Sequence, residues 1–156
     1  MTHTLSLSTG NHLDLPLSQI KQIEERMRSL QIRLSVQKKF GSNWKKTRLR
    51  LAKLYRRIRR MKEDFIQKQT SLLVKAYGGI AVEDLKVKNM TASAKGTLEE
   101  PGKNVAQKAG LNRAILRSSP GRIYQVLKYK CQWNKRWFVA VAPRNTSREC
   151  RQCEFI

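Results

Sequence analysis

The stretch Ala76-Tyr77-Gly78-Gly79-Ile80-Ala81-Val82-Glu83-Asp84-Leu85 decides the fold. Its glycine pair stops any helix that precedes it. Ile80-Ala81-Val82 is then a short apolar run, which predicts a buried parallel strand. The run ends on two carboxylates, and open α/β sheets gather their chemistry at the carboxyl ends of strands. Successive side chains on a strand face opposite ways, so one of Glu83 and Asp84 faces a site while the other caps the next turn. The predicted class is therefore α/β.

The region before this strand holds most of the charge. The 156 residues carry 33 Lys+Arg against 11 Asp+Glu, a net charge of +22, and residues 18–75 alone contribute +14. Ile20, Ile23, Met27, Leu30 and Leu34 recur at alternating steps of three and four. Leu51, Leu54, Ile58, Met61, Phe65, Leu72 and Ala76 keep that rhythm apart from a polar step at Lys68/Gln69. This is the seam of two packed helices. Gly41-Ser42-Asn43 is the turn signal between them, and Ser42 or Asn43 can cap the second helix. An antiparallel helical hairpin over 18–77 follows. Its outer faces carry Lys45, Lys46, Arg48, Arg50, Lys53, Arg56, Arg57, Arg59, Arg60 and Lys62, with few carboxylates at helical spacing beyond Glu63 and Asp64. Such density points to contact with nucleic-acid phosphates, which carries no sequence code. A solvated charged face is the plainer alternative.

Earlier still, Thr2–Ser8 and His12–Leu17 alternate apolar and polar residues around Ser8-Thr9-Gly10-Asn11, predicting a β-hairpin within 1–17. The first strand starts almost at Met1, as though the chain began inside a sheet. Downstream, residues 88–110 read as a flexible loop or a surface-wrapped segment. Leu111–Tyr129 reads as a helix broken at Ser118-Ser119-Pro120-Gly121, and Trp137–Val141 as a strand closed by Pro143. Together 78–145 complete the α/β part.

The cysteines are Cys131, Cys150 and Cys153. Three clustered late argue against a disulfide framework, and for a reducing, cytoplasmic setting or a metal. Cys150-Arg151-Gln152-Cys153 is half of a four-thiolate Zn²⁺ site, within 146–156. Cys131 is expected to be a small core residue. No apolar stretch approaches a membrane span of roughly 20 residues, so no membrane partner is expected. The N-terminus has no signal-peptide pattern.

Three stretches, in this order, resemble the TnpB/OrfB family of insertion-sequence transposases, relatives of the type V CRISPR effector nucleases. They are Ile80–Met90, Ala109–Leu116 and Pro143–Cys153, and Leu30–Ser35 looks like the family's helical insertion. The resemblance implies a RuvC-like nuclease of RNase H fold, cutting DNA under RNA guidance with a metal-bound triad of two Asp and one Glu. Glu83 matches the family's catalytic Glu, a ligand for Mg²⁺. The expected architecture is an incomplete RNase H-like (RuvC) sheet with an inserted basic helical hairpin and half of a zinc ribbon at the C-terminus.

The departures from the family pattern are specific. The family's first catalytic Asp precedes the position of Met1, and Asp14 is not its equivalent. The last catalytic Asp and the second CxxC lie beyond Ile156, and Glu154 stands where a Gly is usual. The family's N-terminal nucleic-acid-binding domain has no counterpart. One carboxylate and two thiolates leave the Mg²⁺ and Zn²⁺ sites incomplete. The chain is accordingly expected to be a fragment that binds DNA or RNA without cutting it alone. The alternatives are a non-catalytic nucleic-acid-binding module, a decayed insertion-sequence product, and, more remotely, a basic ribonucleoprotein component.

Overall fold

The computed structural model describes residues 3–143. It is α/β, and it divides after Gln67 into two compact units.

The first unit, residues 2–67, opens with an antiparallel pair, β1 (Leu5–Ser6) and β2 (His12–Leu13). The strands are shorter than their alternating pattern suggested. The turn closes through Leu7 N to Asn11 O at 2.9 Å and Gly10 N to Leu7 O at 3.0 Å. Gly10 sits there at φ +84, a conformation costly for any side chain. Helix α1 (Leu17–Val36) follows Pro16, whose carbonyl accepts from Ile20 N at 3.1 Å.

Helix α2 (Ser42–Ala76) runs 35 residues with no Gly or Pro, rich in Leu, Arg and Lys of good helix propensity. The seam between α1 and α2 is built on buried Ile23, Met27 and Leu51, with Leu30, Leu34, Leu54, Ile58 and Met61 packed against them. Gln31 Nε2 donates to Tyr55 Oη across the hairpin at 3.0 Å. The reversal lies in residues 37–41, ahead of the expected Gly41-Ser42-Asn43 turn. Phe40 there takes the left-handed conformation at φ 66, and Ser42 already begins α2.

The far end of α2 departs from the expected seam. Leu72 is 60% exposed and Ala76 is exposed, whereas Ile66, Thr70, Leu73 and Val74 are buried. The buried stripe has moved one residue along, a rotation of about 100° around the helix. Length supplies the reason. With 20 residues, α1 runs out well before the 35-residue α2 does, so the last turns of α2 have other neighbours.

The second unit begins at Lys68 and contains those last turns. Strands β3 (Gly79–Glu83) and β4 (Trp137–Val141) form a two-stranded parallel sheet, registered from Gly79↔Trp137 to Glu83↔Val141. Among the described residues β1 pairs only with β2 and β3 only with β4, so the strands form two small sheets rather than one. The expected burial of Ile80–Val82 is also not found. Ile80 and Val82 are half-buried and Ala81 is exposed. A parallel pair with cover on one face alternates as an antiparallel strand does.

Between β3 and β4 lie α3 (Val87–Met90), α4 (Val105–Ser118) and α5 (Pro120–Trp133). The expected helix break is at Ser119, φ 56, followed by Pro120 in the first turn of α5. Helix α4 starts six residues before the expected Leu111. The 91–104 segment is a folded turn rather than a flexible loop, bridged at Gly96↔Pro101. A Cβ on Gly102 would collide with the Ala94 carbonyl oxygen. Lys108 Nζ and Asn112 Nδ2 fasten the segment by donating to the Met90 and Thr91 carbonyls at 2.7 and 2.9 Å.

Helix α5 supplies the core with Ile123, Val126, Leu127 and Cys131, all under 5% exposed. Burial pushes the Cys131 thiol upward, as its expected packing role implies. Lys130 Nζ donates to Thr70 Oγ1 and Ser71 Oγ at 2.9 and 2.8 Å, tying α5 to the end of α2. Tyr124 meets Phe138 edge-on at 5.3 Å, tying α5 to β4.

Candidate nucleic-acid interface and strand-end carboxylates

Helix α2 sorts its side chains by angle. Thr47, Leu51, Leu54, Ile58 and Met61 hold the packed face, with Thr47 Oγ1 donating to the Asn43 carbonyl at 2.9 Å. At about 100° per residue, Lys45, Lys46, Arg48, Arg50, Lys53, Arg56, Arg57, Arg59 and Arg60 spread over roughly 200° on the other side. All nine are exposed. Among the described residues no carboxylate pairs with any of them. The stripe runs about 22 Å along the axis, the span of roughly six phosphates on one strand.

Details within the stripe sharpen it. Lys53, Arg56, Arg57 and Arg60 line one shallow groove with Met61. Arg56, Arg59 and Lys62 line another with Ala52, Tyr55 and Ile58. At the hairpin tip Arg48 lies over the Trp44 ring at 5.3 Å, and Phe40 packs against Trp44 at 5.4 Å. This aromatic support is a feature the charge pattern alone did not suggest; the i, i+4 spacing of Trp44 and Arg48 was its signal.

The second place of interest is the carboxyl end of β3. Glu83 is the last residue of the ladder, opposite Val141, and is exposed. Asp84 continues past it, its N–H donating to the Val141 carbonyl at 2.8 Å. Glu83 is exposed and Asp84 half-buried. Asp84 Oδ2 accepts from Lys86 Nζ at 2.5 Å, and this hydrogen bond raises the Lys86 pKa. Lys86 was not singled out from sequence; a cation two residues past Asp84 was the available signal. Among the described residues no hydrogen bond or ion pair engages the Glu83 carboxylate, while its backbone carbonyl accepts from Leu85 N at 2.9 Å.

No group of three His, Cys, Asp or Glu able to hold a metal occurs among the described residues. Glu83 alone therefore does not make a fitting donor set for Mg²⁺, which needs near-octahedral oxygen ligation. Cys150 and Cys153 lie outside the described residues. No described helix is long and apolar enough to cross a membrane.

Comparison with known proteins gives four findings. Residues 1–94 match the OrfB_IS605 family model, described as "Probable transposase". Residues 121–156 match the Cas12f1-like TNB domain. An Escherichia coli K12 protein named "Putative RNA-guided DNA endonuclease InsQ" is 36% identical over 148 residues, covering 95% of this chain and 37% of that protein. A Streptomyces pristinaespiralis "Putative RNA-guided DNA endonuclease" is 28% identical over 141 residues, covering 90% of this chain and 31% of that one. The chain thus spans about a third of the length of these curated relatives.

Proposed function

The chain belongs to the OrfB_IS605 family of transposases, and from that premise we propose that it grips nucleic-acid phosphates along the outer arc of α2. The observation that carries this reading is the run of nine exposed Lys and Arg side chains that meet no carboxylate among the described residues. Such a stripe repels itself until an anion neutralises it, and a phosphate backbone matches both its spacing and its sign. The relatives' names extend the reading to a guide RNA and a DNA target as the physiological partners.

The finer assignments follow the family. We take β3 and β4 as part of a RuvC-like, RNase H-type core, supported by their parallel pairing and by the acid at the strand end. Glu83 is the carboxylate this chain offers to an Mg²⁺ site. Cys150 and Cys153 are the two thiolates it offers to Zn²⁺, at the two-residue spacing that lets both sulfurs face one ion. One carboxylate does not position metal for in-line phosphodiester attack, so the 156-residue chain binds nucleic acid without cutting it.

The test is a cleavage and gel-shift experiment on the purified chain, with a structured RNA, a complementary DNA and Mg²⁺. The expected result is a shifted complex with intact DNA. DNA cutting that disappears in Glu83→Ala would contradict the inactivity, and no shift at low salt would contradict the binding.

A further inference from the structure

A second cation-rich site lies in the second unit, at the end of the sheet opposite Glu83. Lys128, Gln132, Lys135, Arg136, Trp137 and Phe138 line a pocket of about 330 Å³ where α5 turns into β4. Three of the six are cations and none is acidic. The Trp137 indole is 79% exposed, although it stands at the first position of a strand. Glu83 pairs with Val141, the last residue of β4, so the pocket and the strand-end acid are separated by the length of that five-residue strand, about 13 Å.

The turn that shapes the pocket is fully hydrogen-bonded. Arg136 N donates to Cys131 O at 2.8 Å and Lys135 N to Gln132 O at 3.2 Å, the two bonds of a Schellman helix end. Trp137 N then donates to Gly78 O at 3.2 Å and enters the sheet. Gly79 lets the tryptophan approach, since a Cβ there would lie 3.2 Å from the Trp137 Cβ. The left-handed position of a Schellman end is normally glycine, but here it is Lys135, at φ 52. A side chain kept in a disfavoured conformation at the rim of a pocket is a sign of use.

We infer that this pocket takes one unpaired nucleotide of a single strand, with its base on the Trp137 face and its phosphates among Lys128, Lys135 and Arg136. A stacked indole and a ring of cations answer the two halves of a nucleotide. A duplex cannot supply the base half, because its bases are already stacked on each other. The inference rests on the nucleic-acid reading above, but it concerns different residues and a different strand state.

The test compares wild type with Trp137→Ala and Lys135→Gly on single-stranded RNA, single-stranded DNA and duplex DNA of equal length. Trp137→Ala should weaken single-strand binding about tenfold and leave duplex binding and the salt slope unchanged. Lys135→Gly should lower the single-strand salt slope by roughly one, with its melting temperature held or raised because glycine suits the left-handed position. It keeps the test readable should Trp137→Ala fail to fold. RNA and DNA arms that respond alike identify the shared nucleotide chemistry; a response in one arm identifies that strand. Unchanged single-strand affinity in both variants overturns the proposal, as does an equal loss on duplex.

A separate readout distinguishes this failure from failure of the α2 interface. In a Trp44→Phe/Trp133→Phe protein Trp137 is the sole indole, and adenosine monophosphate should quench it saturably and more strongly than adenosine does. Absence of quenching overturns the pocket even if α2 binds long strands. Quenching, together with single-strand binding that replacement of the α2 arginines leaves unchanged, upholds the pocket and removes the α2 interface.

Discussion

Asp14 lies just past β2 and pins the N-terminal hairpin. Its carboxylate accepts from His3 Nδ1 at 2.8 Å and from Thr4 N at 2.7 Å, while Thr4 Oγ1 accepts from Leu15 N at 3.1 Å. The His3 bond first, then the Thr4 bond, holds the Asp14 pKa below the ordinary aspartate value. A depressed folded-state pKa contributes stability that is present above the unfolded value and lost as pH falls through the folded one. The Thr4 and Leu15 amides should therefore exchange faster relative to the intrinsic rate as pH drops from about 5 to about 2. In Asp14→Asn that added pH dependence should vanish; its persistence would place the titrating group elsewhere. Glu83 differs at the same scale: it is exposed and its carboxylate is unengaged among the described residues, which is why its replacement is useful for testing chemistry rather than folding.

At the scale of elements, α2 changes partners partway along, and this is where the sequence was hardest to read. Periodicity identified Ile23, Met27, Leu51, Leu54, Ile58 and Met61 correctly because one partner helix sets one stripe. Past that point a different set of neighbours decides which residues are buried, and no periodic pattern within α2 names them. Leu72 fitted the rhythm and is exposed; Thr70 did not and has no exposed surface. Leu73→Ala should cost about 2–5 kcal/mol, whereas Leu72→Gln should change stability by less than about 0.5 kcal/mol. Urea unfolding measures both, and the reverse ranking would restore the unbroken seam. The strands were legible for a local reason: Gly78-Gly79 ends a helix, and Pro143 closes β4. The turn at Lys135 was not legible, because its left-handed conformation is one that sequence rules assign to glycine. Nor was the 91–104 turn, whose Gly96 and Gly102 are required by a close backbone approach between residues that look unpatterned.

For the whole molecule, the sign and size of the charge mattered more than the sheet. Net +22 on 156 residues pointed to a polyanion, and the structure gathers nine of those charges on one exposed helical arc. What composition could not supply was that, among the described residues, no carboxylate pairs with them, which depends on where each rotamer lies. The acid at the β3 end was legible by its place after an apolar run, whereas a metal site is a set of ligands, and no such set occurs among the described residues.

The most direct test of the central claim is the affinity of the purified chain for a single-stranded oligonucleotide as a function of salt. The account predicts a linear fall of log K with log salt, with a slope of about −4 for roughly six phosphate contacts. Arg56→Ala/Arg57→Ala/Arg59→Ala/Arg60→Ala should bring that slope down by roughly 2 to 3 units with the melting temperature preserved. A slope near zero in wild type, or a slope unchanged in the quadruple variant, would contradict it.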